Sequence, residues 1–400
     1  MVFCIMCCNM GLGKTGKIWY SKGNKDHSHR LRGVVGRRGA YEKMMKTQSP
    51  KRRALRSARF RAAGDNMIHR KQLEIAKQAD GSYDFHPQFA LVAEALKNAD
   101  YTIANLETTI GQFRDVPFTG FPRFNSPEAL LDALRDAGVD FLTLANNHIL
   151  DRFFEGLVTT VDRVEAWGFD FGGANRTPEE KARPVVVMVN DIRVGMLCYT
   201  ELTNEMDDYF SPEAEAYGVN YMCGADYAAD VQKLRDAGAE VVFAIPHWGE
   251  EYRRRPEENT VIQAKKLVAA GVDVILGSHP HMVQPVAFVE AQTGDGEVWR
   301  GLVAYSLGNF ISNMCLKYTD TGIVLDFTLR ERPEGGFAVE DVRAVPVYCW
   351  RREDMIQTLC LKRYLNQPPE GMSAFEWARL KEEYAELREL IDERIPMTEG

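Results

Sequence analysis

The stretch "LTLANNHILD", residues 142–151, places four polar side chains directly after a run of apolar residues. Such a run is typical of a buried β-strand. Asn146, Asn147 and His148 follow the run at once, and Asp151 comes three residues after His148. Because a buried polar side chain is costly unless it has a partner, this cluster indicates a functional site where a strand leaves the core.

The composition of the chain is that of a globular protein. Its 400 residues are 45% hydrophobic and 26% charged, enough for one large domain or two modest ones. No stretch approaches the roughly 20 apolar residues that cross a bilayer, so we predict no transmembrane anchor. No small-residue cleavage site follows the apolar start of the chain. With no paired CxxC motifs, and with Cys198 and Cys315 expected to be reduced core residues, the pattern favours a cytoplasmic location.

Charge is distributed unevenly along the chain. Residues 1–60 contain 15 of the 49 Lys and Arg but only two of the 57 Asp and Glu. One interpretation is an arm that binds nucleic acid or an anionic surface, and the other is a disordered extension. No interleaved aromatic pattern or groove-reading helix accompanies the charge. We therefore favour the extension and expect no nucleic-acid partner.

From about residue 58 onward, apolar strands alternate with amphipathic helices. This alternation predicts an α/β domain with crossover connections. The pattern includes a helix over residues 89–99 and a helix over residues 126–138, for which Ser126 is the expected N-cap. Residues 184–200 predict a hairpin around Asn190-Asp191, since both residue types tolerate positive φ. Antiparallel strands are thus mixed into the predicted sheet.

The same pattern divides the chain into three parts. We predict a basic leader over residues 1–57, a folded α/β domain over residues 58–346 and a charged helical tail over residues 347–400. The sequence contains no signal for a particular oligomeric state.

Acidic side chains and histidines occur at several further strand ends. Asp65, Glu107, His247 and the pair His279 and His281 each follow an apolar strand. In open α/β sheets the carboxyl ends of the strands share one edge, where ligands bind. His279 and His281 are separated by one residue, so an extended backbone would direct both imidazoles to the same side. We predict that these residues form one ligand constellation.

This combination of donors indicates a divalent metal ion. Two imidazoles close together on one face repel each other when charged, unless a cation or another partner lies between them. Nitrogen and oxygen donors without thiolates suit Mn, Fe, Zn or Mg rather than a structural zinc held by cysteines. The expected cofactor is therefore one or two such ions, and the expected chemistry is hydrolysis.

Six ordered motifs resemble those of a known family: "GDNMIHR", "NLETTI", "LTLANNHILD", "PHWGEEY", "GSHPHMVQP" and "YSLGNF". They are similar to motifs of the CapA family of poly-γ-glutamate capsule synthesis proteins, a branch of the calcineurin-like metallophosphoesterase superfamily. The resemblance extends from about residue 58 to residue 345. It implies a four-layer α/β/β/α sandwich with mixed sheets and a metal site at the strand ends. It also implies a role in capsule synthesis, with an anionic polymer or a phosphoester as substrate; relatives are often exported or tethered to membranes.

The resemblance also implies a role for each motif residue. Asp65 matches the aspartate of the first motif, and Glu107 stands where the superfamily usually has a bridging aspartate. Asn147 and His148 match an Asn-His pair, in which Asn147 completes the metal shell. His148 would protonate the leaving oxygen or stabilise the negative charge of the substrate. The remaining matches are to histidine ligands of the metal: His247, His279 and His281.

Further polar residues are candidates for supporting roles. Asn146, Asp151 and Asn309 are expected to orient the ligands by hydrogen bonds, although capping of turns explains them equally well. A carboxylate near a metal can act as a base or contact the substrate. We therefore take Glu250 as a candidate catalytic residue and Glu251 as a candidate substrate contact.

The sequence departs from the superfamily pattern in two places. The first motif is usually Asp-x-His, whereas this chain has Met67, a poor ligand for a hard divalent ion. One metal position is therefore weakened, and the site holds a single ion or depends on another ligand; His69 lies two residues too far along. Arg152 and Phe153 stand where relatives often have Tyr-Gly, and Arg152 favours an anionic substrate.

Two functions are compatible with these features. The first is a metal-dependent hydrolase that acts on a phosphoester or a γ-glutamyl amide. The second is a non-catalytic member of the same fold that binds an anionic polymer or assists its export. The number of metal-type ligands at one edge favours the hydrolase.

Overall fold

Two β-sheets packed face to face form the centre of the structure, a computed structural model that describes residues 54–113 and 116–400. Most of the predicted leader, residues 1–53, lies outside the described residues.

The strands and helices follow one another in the alternating order that the sequence predicts. In chain order the strands are β1 (Ser57–Asn66), β2 (Tyr101–Leu106), β3 (Thr109–Ile110), β4 (Asn125–Ser126), β5 (Phe141–Thr143), β6 (Asp170–Gly172), β7 (Val185–Val189), β8 (Ile192–Thr200), β9 (Val241–His247), β10 (Val274–Leu276), β11 (Val286–Gln292), β12 (Val298–Ala304), β13 (Asn309–Ile311), β14 (Thr321–Glu331), β15 (Phe337–Arg351) and β16 (Ile356–Cys360). The α-helices are α1 (Arg70–Ala76), α2 (His86–Phe89), α3 (Ala93–Lys97), α4 (Ala129–Asp136), α5 (Phe153–Ala166), α6 (Pro178–Ala182), α7 (Pro212–Glu215), α8 (Tyr227–Asp236), α9 (Glu258–Ala269) and α10 (Ala374–Arg388).

Both large sheets combine parallel and antiparallel pairing. The first has the order β16-β15-β14-β1-β2-β5-β6, with β13 also paired to β1. Its strands β1, β2, β5 and β6 are parallel, whereas β14, β15 and β16 are antiparallel neighbours. The second sheet has the order β11-β12-β10-β9-β8-β7, with parallel strands in the centre and an antiparallel pair at each edge. The predicted hairpin is confirmed as β7 and β8, and both Asn190 and Asp191 have positive φ.

Three apolar cores define the layers. Between the sheets, the rings of Phe60 and Phe327 from the first sheet meet Phe243 from the second, with centroids 5.2 to 5.6 Å apart. The other face of the first sheet packs against helices α1 to α5, and the other face of the second packs against α8 and α9. This arrangement confirms the expected α/β/β/α sandwich.

Three local predictions were wrong. The helix expected over residues 89–99 is divided into α2 and α3, because Val92 leaves helical geometry (φ −122°) and is fully buried in the core. Ser126 lies in β4 instead of capping a helix, and α4 begins after Glu128. Cys315 is exposed, because it lies in the loop after β13, whereas Cys198 is buried as expected.

The C-terminal residues are part of the same compact unit as the rest of residues 54–400. The boundary predicted after residue 346 falls within β15, and β16 then extends the first sheet. Helix α10 follows, and its Leu380 packs with Tyr348 and Trp350 while Leu387 joins the core between the sheets. Residues 347–400 are thus packed by apolar contacts and are only partly helical. No helix within the described residues combines the length and apolarity needed to span a membrane.

We expect Phe243→Ala to lower the free energy of unfolding by about 3–5 kcal/mol, because it removes the ring that links the two sheets and leaves a cavity. Denaturant unfolding of the purified protein measures this change. Met188→Ala is the control, since Met188 is 61% exposed on β7, and we expect a change within about 0.5 kcal/mol. Equal effects of the two substitutions would show that this contact does not hold the sheets together.

Candidate metal centre

Polar side chains from both sheets meet at the carboxyl ends of the central strands. The first sheet supplies Asp65 near the end of β1 and Glu107 directly after β2. The second sheet supplies His247 as the last residue of β9, and the loop after β10 supplies His279 and His281. All six predicted metal ligands are buried: Asp65, Glu107, Asn147, His247, His279 and His281. These side chains lie at one edge of the sheets, and their assignment as metal ligands stays a prediction.

A close backbone contact between Gly64 and Gly308 fixes the position of Asp65. The amide of Asp65 donates to the carbonyl oxygen of Gly308 at 3.0 Å, and β13 pairs in parallel with β1 so that Asn309 lies opposite Asp65. A Cβ atom on Gly64 would lie 1.8 Å from the Gly308 oxygen, so a side chain here would force the strands apart. As a result, Asp65 and Asn309 both reach His281.

Asp65, Glu107 and His281 form a first ligand group, with ligand atoms within 4.8 Å of one another. The Nδ1 atom of His281 donates to Asp65 Oδ2 at 3.1 Å and to Asn309 Oδ1 at 3.2 Å. Since both partners are acceptors, Nδ1 carries the proton and Nε2 carries a lone pair. This Nε2 atom is buried and has no hydrogen-bond partner among the described residues. His281 is thus held in the tautomer that a metal ligand requires.

Glu107, His247 and His279 form a second ligand group. Nε2 of His247 lies 3.0 Å from Asn147 Oδ1 and 3.0 Å from His279 Nδ1. Nδ1 of His247 lies 2.9 Å from the hydroxyl of Ser278, which fixes the orientation of the ring. His247 Nε2, His279 Nδ1 and Asn147 Oδ1 therefore lie close together, and Asn147 adjoins the second ligand group.

Glu107 lies between the two ligand groups. Its Oε1 atom is 3.6 Å from His247 Nε2 and 3.9 Å from His281 Nε2, and it is buried without a hydrogen-bond partner among the described residues. Its Oε2 atom accepts a hydrogen bond of 3.1 Å from Asn105. Buried polar atoms normally have partners, and a divalent cation would satisfy both Glu107 Oε1 and His281 Nε2. The residues present therefore fit one or two divalent ions.

Burial sets the protonation of these groups. It raises the pKa of Glu107 well above its usual range, and the charge of Asp65 adds to this effect. Burial also lowers the pKa of His279 to about 3 and lowers the pKa of His247 well below its usual value, with the neighbouring imidazoles contributing. Both histidines are thus neutral at pH 7, which is the form that binds metal. The carboxyl group of Glu107 favours its protonated form.

His148 lies beside the ligand groups and is oriented by three contacts. Its Nδ1 atom is 2.8 Å from Asp151 Oδ2, which also accepts the backbone amide of Phe124 at 2.5 Å. Its backbone amide donates to Asn146 Oδ1 at 3.1 Å, and its ring packs edge-on against Phe124 with centroids 4.7 Å apart. Nε2 is the ring nitrogen left without a hydrogen-bond partner in the described part of the chain.

Two predicted site residues lie outside the centre. Glu250 is more than half exposed and forms an ion pair of 2.7 Å with Arg253, because the turn that follows Gly249 directs it into solvent. Arg152 uses its guanidinium to hold the loop before Phe124, by hydrogen bonds to Thr119 and to the carbonyl oxygens of Asp151 and Arg123. Neither contacts a ligand group. Glu251 does face the centre, with Oε1 3.9 Å from His281 Nε2.

The backbone of the histidine pair differs from the expected extended strand. His279 has φ 99° and His281 has φ 56°, so they lie in a tight loop where the alternation of an extended chain does not apply. Their ring centroids are 6.0 Å apart, and each histidine belongs to a different ligand group. The two imidazoles reach the same centre because of the loop conformation.

Sequence reasoning missed Asn105 and set aside His69 as too far along the chain to be a ligand. Asn105 donates to Asp65 Oδ1 at 2.8 Å and to Glu107 Oε2 at 3.1 Å, and so joins the two carboxylates. The sequence does contain a signal for Asn105, because it lies two residues before Glu107 and residues at that spacing in an extended strand share a face. His69 packs edge-on against the same Phe124 ring that His148 contacts. Burial lowers the pKa of His69 to about 4.

The structure is thus an α/β/β/α sandwich with a candidate divalent metal centre at the ends of its central strands. The family model described as "Bacterial capsule synthesis protein PGA_cap" matches residues 59–314. The chain therefore belongs to this bacterial capsule synthesis family, as the motifs predicted.

Two curated relatives come from Bacillus. The chain is 27% identical over 282 residues to "Capsule biosynthesis protein CapA" of Bacillus anthracis, a match that covers 70% of this chain and 65% of that protein, just under two thirds of its length. It is 24% identical over 286 residues to "PGA biosynthesis protein CapA" of Bacillus subtilis, with 70% of each chain covered.

A solved structure with a detectable similarity is that of the calcineurin-like phosphoesterase YfkN from Bacillus subtilis. The identity is 15% and the TM-score is 0.41, with 73% of this chain and 90% of that chain covered.

We expect metal binding to release a proton over the pH range in which Glu107 titrates, because burial raises the pKa of this carboxyl group well above its usual range and the group is ionised as a ligand. Affinity should fall as the pH is lowered, since protons then compete more strongly for this carboxyl group. Calorimetric titration with Mn²⁺ in buffers of different ionisation enthalpy measures the release, and Glu107→Gln should abolish it. Binding heats that are the same in all buffers would contradict this expectation.

Proposed function

We propose that this protein is a metal-dependent hydrolase of capsule or poly-γ-glutamate synthesis, acting on a phosphoester or a γ-glutamyl amide. The observation that supports it is the position of Glu107, whose buried and unpartnered Oε1 atom lies between two histidine-containing groups. Most buried carboxyl oxygens have a hydrogen-bond donor, whereas this atom faces imidazole nitrogens of both groups.

In this proposal each of the two ligand groups would hold one metal ion. Asp65 and His281 would hold one ion and Asn147, His247 and His279 a second, with Glu107 shared between them. Nitrogen and oxygen donors of this kind suit Mn, Fe, Zn or Mg. When bound, such ions polarise a phosphoryl or carbonyl oxygen and lower the pKa of water.

His148 is the proposed general acid. Asp151 accepts from Nδ1 of the imidazole, which fixes the orientation of the ring. Nε2 would then donate a proton to the leaving oxygen or nitrogen, or a hydrogen bond to negative charge on the substrate. Asn146 and Asp151 act through His148 and position it.

The proposed substrate class follows from the names of the relatives together with the donor set. Both Bacillus proteins are named for capsule or PGA biosynthesis, and a divalent centre attracts anionic groups. An anionic polymer or a phosphoester therefore fits the centre. The same fold could bind such a polymer without cleaving it, and the experiments below separate the two possibilities.

We expect the purified protein to contain up to two equivalents of Mn, Fe or Zn, measured by plasma mass spectrometry. His281→Ala should reduce the amount of metal bound by the first ligand group, and His279→Ala should reduce the amount bound by the second. The double variant should therefore lose both ions. His86→Ala is the matched control, because His86 is a surface histidine paired with Asp84.

Unchanged metal content in the double variant would show that the ligand assignment is wrong. Absence of metal even after reconstitution would remove the basis of the hydrolase proposal. Metal without turnover on phosphoesters or γ-glutamyl polymers would favour the polymer-binding function.

His148→Gln should keep its metal but lose about 10²–10⁴-fold in kcat, the range that a positioned acid contributes. Turnover is measured on phosphomonoesters, phosphodiesters and γ-glutamyl polymers, with metal content determined on the same samples. Loss of metal in this variant would make His148 a ligand instead, and full activity would remove its proposed role.

A further inference from the structure

The first ligand group lacks a donor where the superfamily motif has a histidine. Met67 occupies that position, is 1% exposed and is held by a backbone hydrogen bond to Ile311. Its thioether is a poor ligand for a hard divalent ion. The first ligand group therefore has three protein ligands, whereas Asn147 brings the second ligand group to four.

His69 does not replace the missing donor. The backbone amide of Asn313 donates to Nδ1 of His69 at 3.2 Å, and a backbone amide can only donate. In a neutral imidazole the proton must then be on Nε2. Neither nitrogen of His69 has a lone pair free for a metal.

Glu251 reaches the open side of the first ligand group. Its Oε1 atom lies 3.9 Å from Nε2 of His281, the buried nitrogen that has no hydrogen-bond partner. Two ligand atoms that each bond one ion at about 2.1 Å can be at most about 4.2 Å apart. The separation of this pair is compatible with a shared ion; Glu251 lies outside the set of ligand atoms within 4.8 Å of one another, so the partly exposed side chain would have to rotate to complete the group.

The backbone around Glu251 is tied to the loop that carries the histidines. The amide of Gly249 donates to Glu201 Oε2 at 2.8 Å, and the amide of Tyr252 donates to the carbonyl oxygen of Pro280 at 2.9 Å. Tyr252 adopts φ 64°, an unfavourable conformation for an aromatic residue. The hydrogen bond to Pro280, between the two histidines, keeps Tyr252 in this conformation, and Glu251 is thereby held beside His281.

We propose that Glu251 is the fourth protein ligand of the first ligand group and takes the place of the motif histidine. This inference rests on the proposed function, since it requires a metal centre. The first ligand group then has three carboxylates and one imidazole, whereas the second has two imidazoles, one amide and the shared carboxylate. Because carboxylate ligands suit Mn²⁺ and Mg²⁺ better than Zn²⁺, the two positions should differ in metal preference.

The test compares Glu251→Gln with Glu250→Gln in the full chain. These adjacent carboxylates undergo the same chemical change, but Glu250 points into solvent and is paired with Arg253. Metal-free protein is titrated with Mn²⁺ by calorimetry, and electron paramagnetic resonance distinguishes isolated from spin-coupled Mn²⁺. We expect two ions and coupling in the unmodified protein and in Glu250→Gln. In Glu251→Gln one ion should bind at least about tenfold more weakly, the lower limit seen for loss of supporting residues around a metal.

Each outcome separates this inference from the proposed function. Two ions with unchanged affinities in Glu251→Gln would overturn the role of Glu251 and leave the metal centre intact. An unmodified protein that binds no Mn²⁺ would overturn both. If the unmodified protein binds a single ion, weaker binding of that ion in Glu251→Gln would support the inference. Unchanged binding of that ion would overturn it.

A second variant tests the same ligand by metal preference. Glu251→His exchanges an oxygen donor for an imidazole at a position that is 37% exposed on its side chain, so it should fold. It should retain two ions and shift the ratio of bound Zn²⁺ to Mn²⁺ towards Zn²⁺ in competition. A ratio equal to that of Glu250→Gln would overturn the assignment.

Discussion

The buried carboxyl group of Glu107 is the constraint around which the rest of the centre is arranged. A carboxylate without compensation is costly to bury, and only Oε2 of Glu107 has a hydrogen-bond donor, from Asn105. Its other oxygen faces imidazoles that belong to the opposite sheet. The distance between carboxylates and imidazoles is therefore set by the packing of the two sheets, with rings such as Phe60 and Phe243 between them. The apolar core and the polar centre thus depend on the same sheet separation.

Irregular backbone conformations, in addition to the packing of the sheets, bring the candidate ligands close to one another. The approach of Gly64 to Gly308 lets β13 pair with β1 beside Asp65. On the other sheet, both His279 and His281 have positive φ, which costs of order 1–3 kcal/mol for each such residue. The amide of Trp248 bonds to the carbonyl oxygen of Ser278, the residue before this pair, and so fixes the start of the loop. Strained backbone conformations thus occur where the side chains of the centre converge. Functional sites are the usual location of such strain in proteins.

The resemblance to the CapA family was sufficient to predict the layers. The polar residues that follow buried strands were sufficient to predict which side chains lie close together, because such residues have few structural explanations. It could not distinguish Glu250 from Glu251, since their directions depend on a turn whose φ values the sequence does not specify. Arg152 was misplaced for a related reason: a long side chain near a site can bond to the backbone of a neighbouring loop, as it does to Arg123. Asn105 was missed because one polar residue within a strand is a weak signal until its partners are known.

The match to the family model ends at residue 314. Residues after this point also stabilise the centre. Asn309 orients His281, and its own amide donates to the carbonyl oxygen of Thr319 at 2.8 Å. The next residue, Asp320, is buried and accepts from Arg351 of β15 at 3.3 Å and from Arg379 of α10 at 2.7 Å. The hydrogen bonds of Asn309 and the ion pairs of Asp320, joined by the peptide bond between Thr319 and Asp320, therefore link α10 to a proposed metal ligand. Because buried ion pairs are strongly destabilising when one partner is removed, the C-terminal helix contributes to the geometry of the centre as well as to the core.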